Sequence, residues 1–487
     1  MLYSTLYDYD QTEDTALRQT PTIPPEDIAA QLSLCDQVRA LLDRRPGEKR
    51  AYVDTYGCQQ NEADSERLRG YLARMGFGFS DTPEGADLVL VNTCAVREHA
   101  EQRVFGNVGA LSHTKRRHPD QVICVCGCMA RQDHVADRLR KSFPYVDLVF
   151  GPQLLWKFPE LLLRKLTTGK RVFATDDVPG AVAEGIPVVR QNKIKAWVSV
   201  MYGCNNFCTY CIVPYVRGRE RSRKPEDILA EIKELAQAGY KDITLLGQNV
   251  NSYGRDLGLD IDFAWLLEQA AAIPGDFLLR FMTSHPKDAS DRLFDVMAQC
   301  GKVAPCLHLP FQSGSSRVLK AMNRKYTRES YLDRVAALRE RAPDIVLTSD
   351  VIVGFPGETQ ADFEETMSLI EEVRYDALFT FQFSPRRGTP AESFDDPMPP
   401  AQKSANFQRL LARQNEISAE KHRAYVGRTV RCLVDGVGTD GRLTARTPGN
   451  RLIHLEGDEA LVGTWQEAKI TDSSTWALFG TVESMTF

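Results

Sequence analysis

Residues 202–211 read Tyr-Gly-Cys-Asn-Asn-Phe-Cys-Thr-Tyr-Cys and place Cys204, Cys208 and Cys211 in a CxxxCxxC spacing. Three thiolates this close can bind one metal centre, but a closed zinc site needs four ligands and the next cysteine, Cys300, is far downstream. An iron-sulfur cluster with one open iron fits better, with half of a zinc site or a chance grouping as the alternative. An open iron can chelate S-adenosylmethionine and break its carbon-sulfur bond by passing it one electron.

A series of strand and helix patterns continues outward from this stretch. Six β/α units predict an incomplete (β/α) barrel rather than an open doubly wound sheet, and in barrels the loops after the strands build the site. Polar loops follow four of the strands and can hold a carboxylate, a ribose and an adenine edge. The apolar runs cover residues 196–201, 242–246, 277–282, 305–309, 345–353 and 377–383. The candidates for cofactor binding are Tyr210, Gln248, Ser284, Gln312, Ser313 and Gly354.

A second strand–helix series precedes the barrel and predicts a parallel α/β sheet. Cys58, Cys94 and Cys128 each follow one of its strands, at the carboxyl edge where open α/β sheets bind ligands. Three ligands again predict a cluster with an open iron, and three independently buried cysteines are the alternative. Cys126 has the same strand parity as Cys128 and is an alternative third ligand. We favour Cys128 because Gly127 would let the backbone approach a bulky cluster.

Arginine-rich segments are candidates for phosphate contacts, with a solvated charged surface as the alternative. The net charge of -5 gives no global basic excess, so a nucleic acid must be bound locally. One basic run follows the CxxxCxxC stretch, and another lies near the C-terminus, where short β runs predict a small oligonucleotide-binding barrel. The candidate RNA contacts are Arg217, Arg219, Arg221, Arg223, Arg428, Arg442, Arg446 and Arg451.

The 487 residues predict about three domains. We expect an extension over 1–48 with a short helix and no assigned role, an α/β domain over 49–166, a barrel over 194–424 and a β domain over 425–487. The polar start of the chain and the lack of an apolar run of about 18 residues predict a cytoplasmic protein without a membrane span. In a reducing compartment the twelve cysteines are available as ligands.

Residues 49–487 resemble the radical S-adenosylmethionine methylthiotransferases. The motifs that carry the resemblance are Thr-Tyr-Gly-Cys-Gln-Gln-Asn-Glu at 55–62, Asn-Thr-Cys-Ala-Val-Arg at 92–97, Gly-Cys-Met-Ala at 127–130, the stretch 202–211, Gly-Gln-Asn-Val-Asn-Ser-Tyr-Gly at 247–254 and His-Leu-Pro-Phe-Gln-Ser-Gly-Ser at 308–315. The loop 247–254 is most similar to that of the branch acting on N6-isopentenyladenosine in tRNA, and the C-terminal part resembles the TRAM RNA-binding module. Gln60 stands where the family commonly has methionine, which affects no ligand.

The resemblance implies that N6-isopentenyladenosine next to the anticodon is converted to its 2-methylthio form. It also implies two 4Fe-4S clusters, one on each cysteine triad, and two S-adenosylmethionine molecules per turnover. One methylates a sulfur at the first cluster, and the other is cleaved at the second to a radical that removes hydrogen from carbon 2 of the adenine. No catalytic side chain beyond the clusters is implied.

The implied partners are the tRNA anticodon loop, a flavodoxin-like or ferredoxin electron donor and a sulfur source, and we expect a monomer. Branches of the family that act on threonylcarbamoyl-adenosine or on an aspartate of a ribosomal protein are alternatives. A non-catalytic iron-sulfur protein that binds RNA is an alternative of a different class.

Overall fold

The computed structural model describes residues 20–95, 98–176, 178–282 and 284–483. The first part of the expected extension (1–19), two residues of the motif at 92–97 (Val96 and Arg97) and Thr283 in a predicted barrel loop lie outside the described residues. Within the described residues, no helix is both long enough and apolar enough to cross a membrane.

The N-terminal domain is a six-stranded parallel sheet in the order β2-β1-β3-β4-β5-β6. Its elements are α1 (Pro25–Leu42), β1 (Arg50–Thr55), α2 (Gln59–Arg74), β2 (Gly78–Phe79), β3 (Leu88–Thr93), α3 (Glu98–Arg117), β4 (Val122–Gly127), α4 (Asp133–Ser142), β5 (Leu148–Phe150), α5 (Phe158–Thr168) and β6 (Val172–Ala174). Helices α1, α2 and α5 cover one face, and α3 and α4 cover the other. The strand order therefore reverses at this point, because β2 lies on one side of β1 and β3 lies on the other. Such a reversal opens a crevice between β1 and β3 at their carboxyl ends.

Helix α1 confirms the short helix expected in the extension, and it packs into the core of the N-terminal domain. Ile28, Cys35 and Val38 are buried against side chains of α2 and α5. Cys35 is fully buried, and burial raises the pKa of its thiol to about 12. This segment therefore adds apolar contacts to the domain instead of forming a separate arm.

The central domain has six parallel β/α strands, as the sequence predicts. They form two three-stranded sheets, β7-β10-β11 and β12-β13-β14, and an isolated bridge between Leu279 and Val303 joins the two halves. The elements are β7 (Lys195–Ser199), β8 (Met201–Tyr202), α6 (Val213–Arg217), β9 (Arg221–Ser222), α7 (Pro225–Gln237), β10 (Asp242–Leu246), α8 (Phe263–Ala272), β11 (Leu278–Phe281), α9 (Asp291–Gln299), β12 (Cys306–His308), α10 (Ser316–Ala321), α11 (Arg328–Arg341), β13 (Val346–Val353), α12 (Gln360–Val373), β14 (Ala377–Gln382) and α13 (Pro400–Arg423).

This central sheet is an open barrel with a helix-covered outer face and a concave inner face. On β13 and β14, Leu347, Val351 and Leu378 face the helices and belong to the main core. The alternate residues, which include Asp350 and its Cα partner Phe379, therefore face inward. In the described part of the chain, β7 and β14 pair on one side only, so the barrel has a lateral opening between them.

The C-terminal domain is a closed five-stranded barrel in the order β15-β16-β17-β19-β18. Its strands are β15 (Thr429–Val437), β16 (Leu443–Arg446), β17 (Leu452–Glu456), β18 (Trp465–Ser473) and β19 (Leu478–Val482). Lys195, the first residue of β7, pairs with Asp435 at 2.5 Å, and Arg280 donates to the carbonyl oxygen of Pro448 at 2.7 Å. The small barrel therefore lies near the amino ends of the central strands, whereas the CxxxCxxC loop lies at their carboxyl ends.

Candidate metal centres and active site

The first candidate centre lies in the crevice between β1 and β3. Cys58 directly precedes α2, Cys94 follows β3 and Cys128 follows β4. The thiols of Cys58 and Cys128 lie 3.9 and 4.0 Å from the same atom, Oδ1 of Asn61. A Cβ atom on Gly57 would lie 2.3 Å from the Cβ of Cys94, so glycine is required for the β1 loop to approach β3. Loops distant in the sequence thus bring the three cysteines together, as predicted.

Asn61 organises this centre, and the sequence interpretation did not assign it a role. Its Nδ2 donates to the carbonyl oxygens of Tyr56 at 2.7 Å and Thr93 at 3.0 Å, which joins the ends of β1 and β3. Asn61 is fully buried. Asn61 lies three residues after Cys58, in the first turn of α2. The CxxN spacing is therefore the sequence signal that could have indicated its role.

The structure separates Cys126 from Cys128. Cys126 lies within β4, is 1% exposed and belongs to the core with Cys124, and burial raises its thiol pKa well above the usual value. Cys128 lies past the strand, with its sulfur beside Asn61. Cys128 is therefore the better candidate ligand. A Cβ on Gly127 would lie 2.3 Å from Asn92 Oδ1, so Gly127 permits close packing of β4 on β3, and its role in the approach to a cluster stays a prediction.

Arg217 completes the first centre from the central domain. Its Nε donates to Cys128 Sγ at 3.1 Å, and its Nη2 donates to Asn61 Oδ1 and Asp64 Oδ2, each at 2.8 Å. The side chain is 5% exposed. Burial raises the pKa of the Cys128 thiol to about 12, and the guanidinium opposes that increase. The site therefore has a built-in positive charge next to one candidate ligand.

The second candidate centre is the loop with Cys204, Cys208 and Cys211. Arg324 Nη1 donates to Cys208 Sγ at 3.4 Å, and Asn206 Nδ2 donates to Cys204 Sγ at 3.5 Å. Arg324 is 8% exposed and also donates to the carbonyl oxygen of Pro310 at 3.0 Å, which connects the loop to the segment after β12. Hydrogen bonds of this kind stabilise thiolates and tune iron-sulfur centres. Pattern matching missed Arg324 because it lies more than a hundred residues from the cysteines.

Burial also raises the pKa of the Cys204 thiol to about 11 and that of Cys211 to about 12. These thiols are therefore protonated at neutral pH unless a cation binds and displaces the protons. In the described ranges, no three His, Cys, Asp or Glu side chains lie close enough to hold a single metal ion. Each set offers three cysteine thiols, one fewer than a closed zinc site takes, and three thiolates with nearby donors suit an iron-sulfur cluster with one open iron.

The first group of cofactor candidates lies beside the cysteine loop. Gln248 Oε1 accepts a hydrogen bond from the backbone nitrogen of Gly203, next to Cys204. Ser284 Oγ donates to Asn251 Oδ1 at 3.4 Å, and Nδ2 of the buried Asn251 has no partner. A buried amide without a partner is costly, so its donor is available to a ligand such as a carboxylate. Asn251 is not among the cofactor-binding candidates that the sequence predicts.

The second group of cofactor candidates lies mainly in the loops after β12 and β13. Ser313 is fully buried, its Oγ accepts from the nitrogen of Ser315, and the nitrogen of Gly354 donates to Glu358 at 2.6 Å. These polar groups are occupied within the protein. Gln312 has a positive φ of 66° and its carbonyl oxygen accepts from the nitrogen of Ile352. Tyr210 packs against the apolar cluster that includes Ile352.

Three arginines of the basic run after the CxxxCxxC stretch are buried and bonded internally. Arg223 is 3% exposed and pairs with Glu184 and Glu231 at 2.6 and 2.7 Å. Arg221 donates to the carbonyl oxygens of Arg219 and Arg217. Together with Arg217 they are not available to an RNA phosphate, which corrects the expectation from the sequence. The physical reason is that acceptors inside the protein occupy their guanidinium groups: carbonyl oxygens of the run itself for Arg221, and side chains from other parts of the chain for Arg217 and Arg223. Arg219 remains exposed, over the ring of Phe207.

The C-terminal candidates divide in the same way. Arg451 is buried against Asp376, so the prediction that it contacts RNA is also wrong. Arg446 pairs with Asp435 at 3.3 Å. Arg428 is exposed, and Arg442 lies over the ring of Phe479 at 5.2 Å. The Phe479 ring in turn stacks on His454 at a centroid distance of 5.5 Å. A stack of this composition on a small β-barrel is suited to nucleobases.

Three protein family models match the chain. The radical SAM superfamily matches residues 198–370, the uncharacterized protein family UPF0004 matches residues 50–151 and the TRAM domain matches residues 423–482. The radical SAM superfamily implies a 4Fe-4S cluster and S-adenosylmethionine, which fit the cysteine loop and its neighbouring donors.

Curated relatives cover almost the whole chain. A tRNA-2-methylthio-N(6)-dimethylallyladenosine synthase from Acetivibrio thermocellus is 48% identical over 477 residues, 97% of this chain and 99% of the relative. The chain belongs to the tRNA-2-methylthio-N(6)-dimethylallyladenosine synthase family. Another synthase of this family, from Alkaliphilus oremlandii, is 47% identical over 467 residues, 96% of this chain and 99% of the relative. One from a Thermoanaerobacter species is 50% identical over 431 residues, 88% of this chain and 92% of the relative.

A solved structure agrees on the fold of this synthase family member. The radical S-adenosylmethionine methyltransferase TsrM from Kitasatospora setae matches with a TM-score of 0.53 and 16% identity, over 71% of this chain and 75% of that chain. At this identity the likeness shows the fold alone.

Proposed function

We propose that this protein is a tRNA methylthiotransferase that converts N6-isopentenyladenosine (dimethylallyladenosine) next to the anticodon to its 2-methylthio form. The observation that carries the proposal is the contact between Arg217 and Cys128, which joins the two cysteine sets in a chain 48% identical to a curated synthase. One enzyme can then bring a sulfur-bearing group and an adenine together in a single cavity. The protein would accelerate the reaction by positioning the reactants and not by acid or base catalysis.

The two cysteine sets are separated by one short helix. Helix α6 starts two residues after Cys211 and ends at Arg217. At about 1.5 Å of rise per residue, the five residues of α6 span roughly 7.5 Å. Ile212 and Val216 pack on Ala95 and Cys128, so the interface beside the first centre is apolar and closed to water. The spacing supports transfer between two neighbouring centres.

Each cysteine set has residues suited to hold a cluster. Cys58, Cys94 and Cys128 would hold the auxiliary cluster, with Asn61 and Arg217 against the sulfurs. Cys204, Cys208 and Cys211 would hold the radical-generating cluster, with Asn206 and Arg324 as hydrogen-bond donors. When bound, the clusters and S-adenosylmethionine supply the electron, the radical and the methylthio group. Gln248 fixes the backbone before Cys204, and Asn251 offers its free amide donor to the cofactor.

The inner face of the barrel supports an adenine with an apolar substituent as substrate. Phe379 and Phe381 on β14 are 50% and 37% exposed, and they share their inward side of the sheet with Asp350 and Ile352. The ring of His308 packs edge-on against Phe379 at 5.7 Å and lies 3.4 Å from Asp350. Exposed phenyl rings favour a dimethylallyl group over the charged carboxylate of threonylcarbamoyl-adenosine.

We expect Phe379→Ala to reduce the preference for the dimethylallyl group. The Kd for a stem-loop RNA with dimethylallyladenosine should rise about tenfold, the effect of losing about 1.4 kcal/mol of apolar contact, while the Kd for the same RNA with plain adenosine should change little. Fluorescence anisotropy measures both values. Phe379→Leu is the matched control and should keep most of the preference, because it retains apolar volume. An unchanged ratio of the two Kd values in Phe379→Ala would place the substituent elsewhere.

Contacts with the tRNA backbone come from the arginines that are not fully buried. Arg219 is exposed beside the cysteine loop, and Arg428 is exposed over the ring of Tyr425. Arg442 is half-buried, pairs with Asp440 at 2.6 Å and lies over Phe479, whose ring stacks on His454. The lateral opening between β7 and β14 admits a nucleotide flipped from an RNA loop. A flavodoxin-like or ferredoxin donor supplies electrons, and a separate source renews the sulfur.

Mass spectrometry of nucleosides from cells that lack the gene tests the proposed reaction. The 2-methylthio-isopentenyladenosine should disappear and isopentenyladenosine should accumulate, and the wild-type gene should restore the product. Loss of 2-methylthio-threonylcarbamoyl-adenosine instead would assign the alternative branch. Anaerobic reconstitution should yield about eight irons per chain and 5′-deoxyadenosine after reduction. Tightly bound zinc without cleavage of S-adenosylmethionine would reject the enzyme.

A further inference from the structure

We propose that Arg217 is a positioning residue that fixes the Cys128 sulfur relative to the CxxxCxxC loop and raises the reduction potential of the auxiliary centre. This inference rests on the proposed assignment of Cys58, Cys94 and Cys128 as its ligands. The sequence alone suggested a different role for Arg217, as a contact to RNA phosphate.

The placement of Arg217 is rigid from both sides. On the side of the central domain, α6 leads from Cys211 directly to it. On the side of the N-terminal domain, three acceptors fill its guanidinium edge: Cys128 Sγ at 3.1 Å, Asn61 Oδ1 at 2.8 Å and Asp64 Oδ2 at 2.8 Å. An arginine fork that bonds several acceptors in fixed directions specifies geometry as well as charge. A shift of α6 would therefore move the guanidinium away from Cys128.

The charge on Arg217 has a direct effect at the sulfur. A hydrogen bond from a charged donor is stronger than a neutral one, and burial of the guanidinium limits screening by water. Reduction adds negative charge to an iron-sulfur centre, so a nearby cation and a hydrogen bond to a ligand sulfur make reduction easier. Asp64 offsets part of this charge, but its carboxylate contacts a different nitrogen of Arg217 from the one that contacts the sulfur.

A merely structural role is the competing explanation, because Arg217 and Asp64 also form a buried ion pair between the two domains. Removing one partner of such a pair destabilises a protein whatever lies nearby. The two explanations differ in whether replacing Arg217 changes the midpoint potential of the auxiliary centre. They also differ in whether Asp64→Asn has the same effect on cluster binding as the replacement of Arg217.

The test uses the full-length chain with Cys204, Cys208 and Cys211 changed to alanine, so that only the auxiliary centre is titrated. Redox titration followed by electron paramagnetic resonance should show that Arg217→Gln lowers the midpoint potential. We expect at least a tenfold change in the reduction equilibrium, about 59 mV for one electron. Arg217→Lys should shift it less, because the charge remains. The matched control is Arg280→Gln, which removes a buried arginine paired with Asp242 away from both cysteine sets and should cause no shift.

An unchanged potential in Arg217→Gln, or an equal shift in Arg280→Gln, would overturn the inference. If Arg217→Gln binds no cluster, recovery of iron in Arg217→Lys supports the role of the charge. Loss of the cluster in Arg217→Lys and in Asp64→Asn alike would show that only the ion pair matters and would overturn it. Failure of the proposed ligand set is distinguishable, because the parent protein with the three alanines would then bind no iron or would keep its iron when Cys128 is also changed to alanine.

Discussion

Replacement of Cys208 by alanine is expected to abolish both 5′-deoxyadenosine formation and methylthiolation. Two cysteines remain in the loop, and Arg324 loses the sulfur to which it donates at 3.4 Å. Hydrogen at carbon 2 of an adenine is not removable by a side-chain acid or base of ordinary pKa, so no slower route within the protein replaces the radical. Chromatography of the reaction mixture under reducing, anaerobic conditions measures both products, and the iron content should fall from about eight to about four per chain.

Cys300→Ala provides the control for the loss of a cysteine as such. Cys300 lies at the end of α9, half-buried and outside both candidate centres. Its replacement should keep full iron content and both products. Cleavage of S-adenosylmethionine by Cys208→Ala at more than background rate would show that the CxxxCxxC loop does not form the radical-generating centre.

Replacement of Cys128 by alanine should separate the two activities. The CxxxCxxC loop remains intact, so 5′-deoxyadenosine should still form, at a rate within a few fold of wild type. Methylthiolated RNA should fall to background, because Cys58 and Cys94 alone are expected not to hold the auxiliary cluster. Iron should fall to about four per chain, and incubation with stem-loop RNA followed by nucleoside mass spectrometry measures the product.

Cys126→Ala is the matched comparison, because Cys126 is two residues away and also buried. It lies inside β4 against the core, so its replacement should keep both clusters and cost only the small packing energy of one sulfur, of the order of 1 kcal/mol. Loss of the auxiliary cluster in Cys126→Ala, with retention in Cys128→Ala, would reverse the assignment.

Local patterns predicted the elements and the position of the cysteines well. Cys58, Cys94 and Cys128 each follow an apolar strand, and strands of a parallel sheet end at the same edge, so their convergence follows from periodicity. Asn61 and Arg324 could not be assigned in this way. Each acts on a cysteine through a contact that depends on how separate loops fold together.

The arginines show the limit of the sequence most directly. In the run from Arg217 to Arg223, every second residue is an arginine, yet Arg219 is exposed and Arg223 is almost fully buried against Glu184 and Glu231. Linear charge density does not reveal which carboxylates the fold brings to each guanidinium. The expectation of a continuous RNA-binding run was therefore wrong for the buried members.

The sequence by itself determined the chemistry available to this protein: two cysteine triads at the ends of strands, a six-unit barrel and a small β-barrel after it. These features depend on residue type, spacing and periodicity, which are local properties. Only the tertiary structure decided that Arg217 belongs to Cys128, that Phe379 faces the cavity and that the C-terminal barrel lies at the amino ends of the central strands. Those relations depend on packing between segments far apart in the chain, where burial and hydrogen-bond satisfaction select one partner for each side chain.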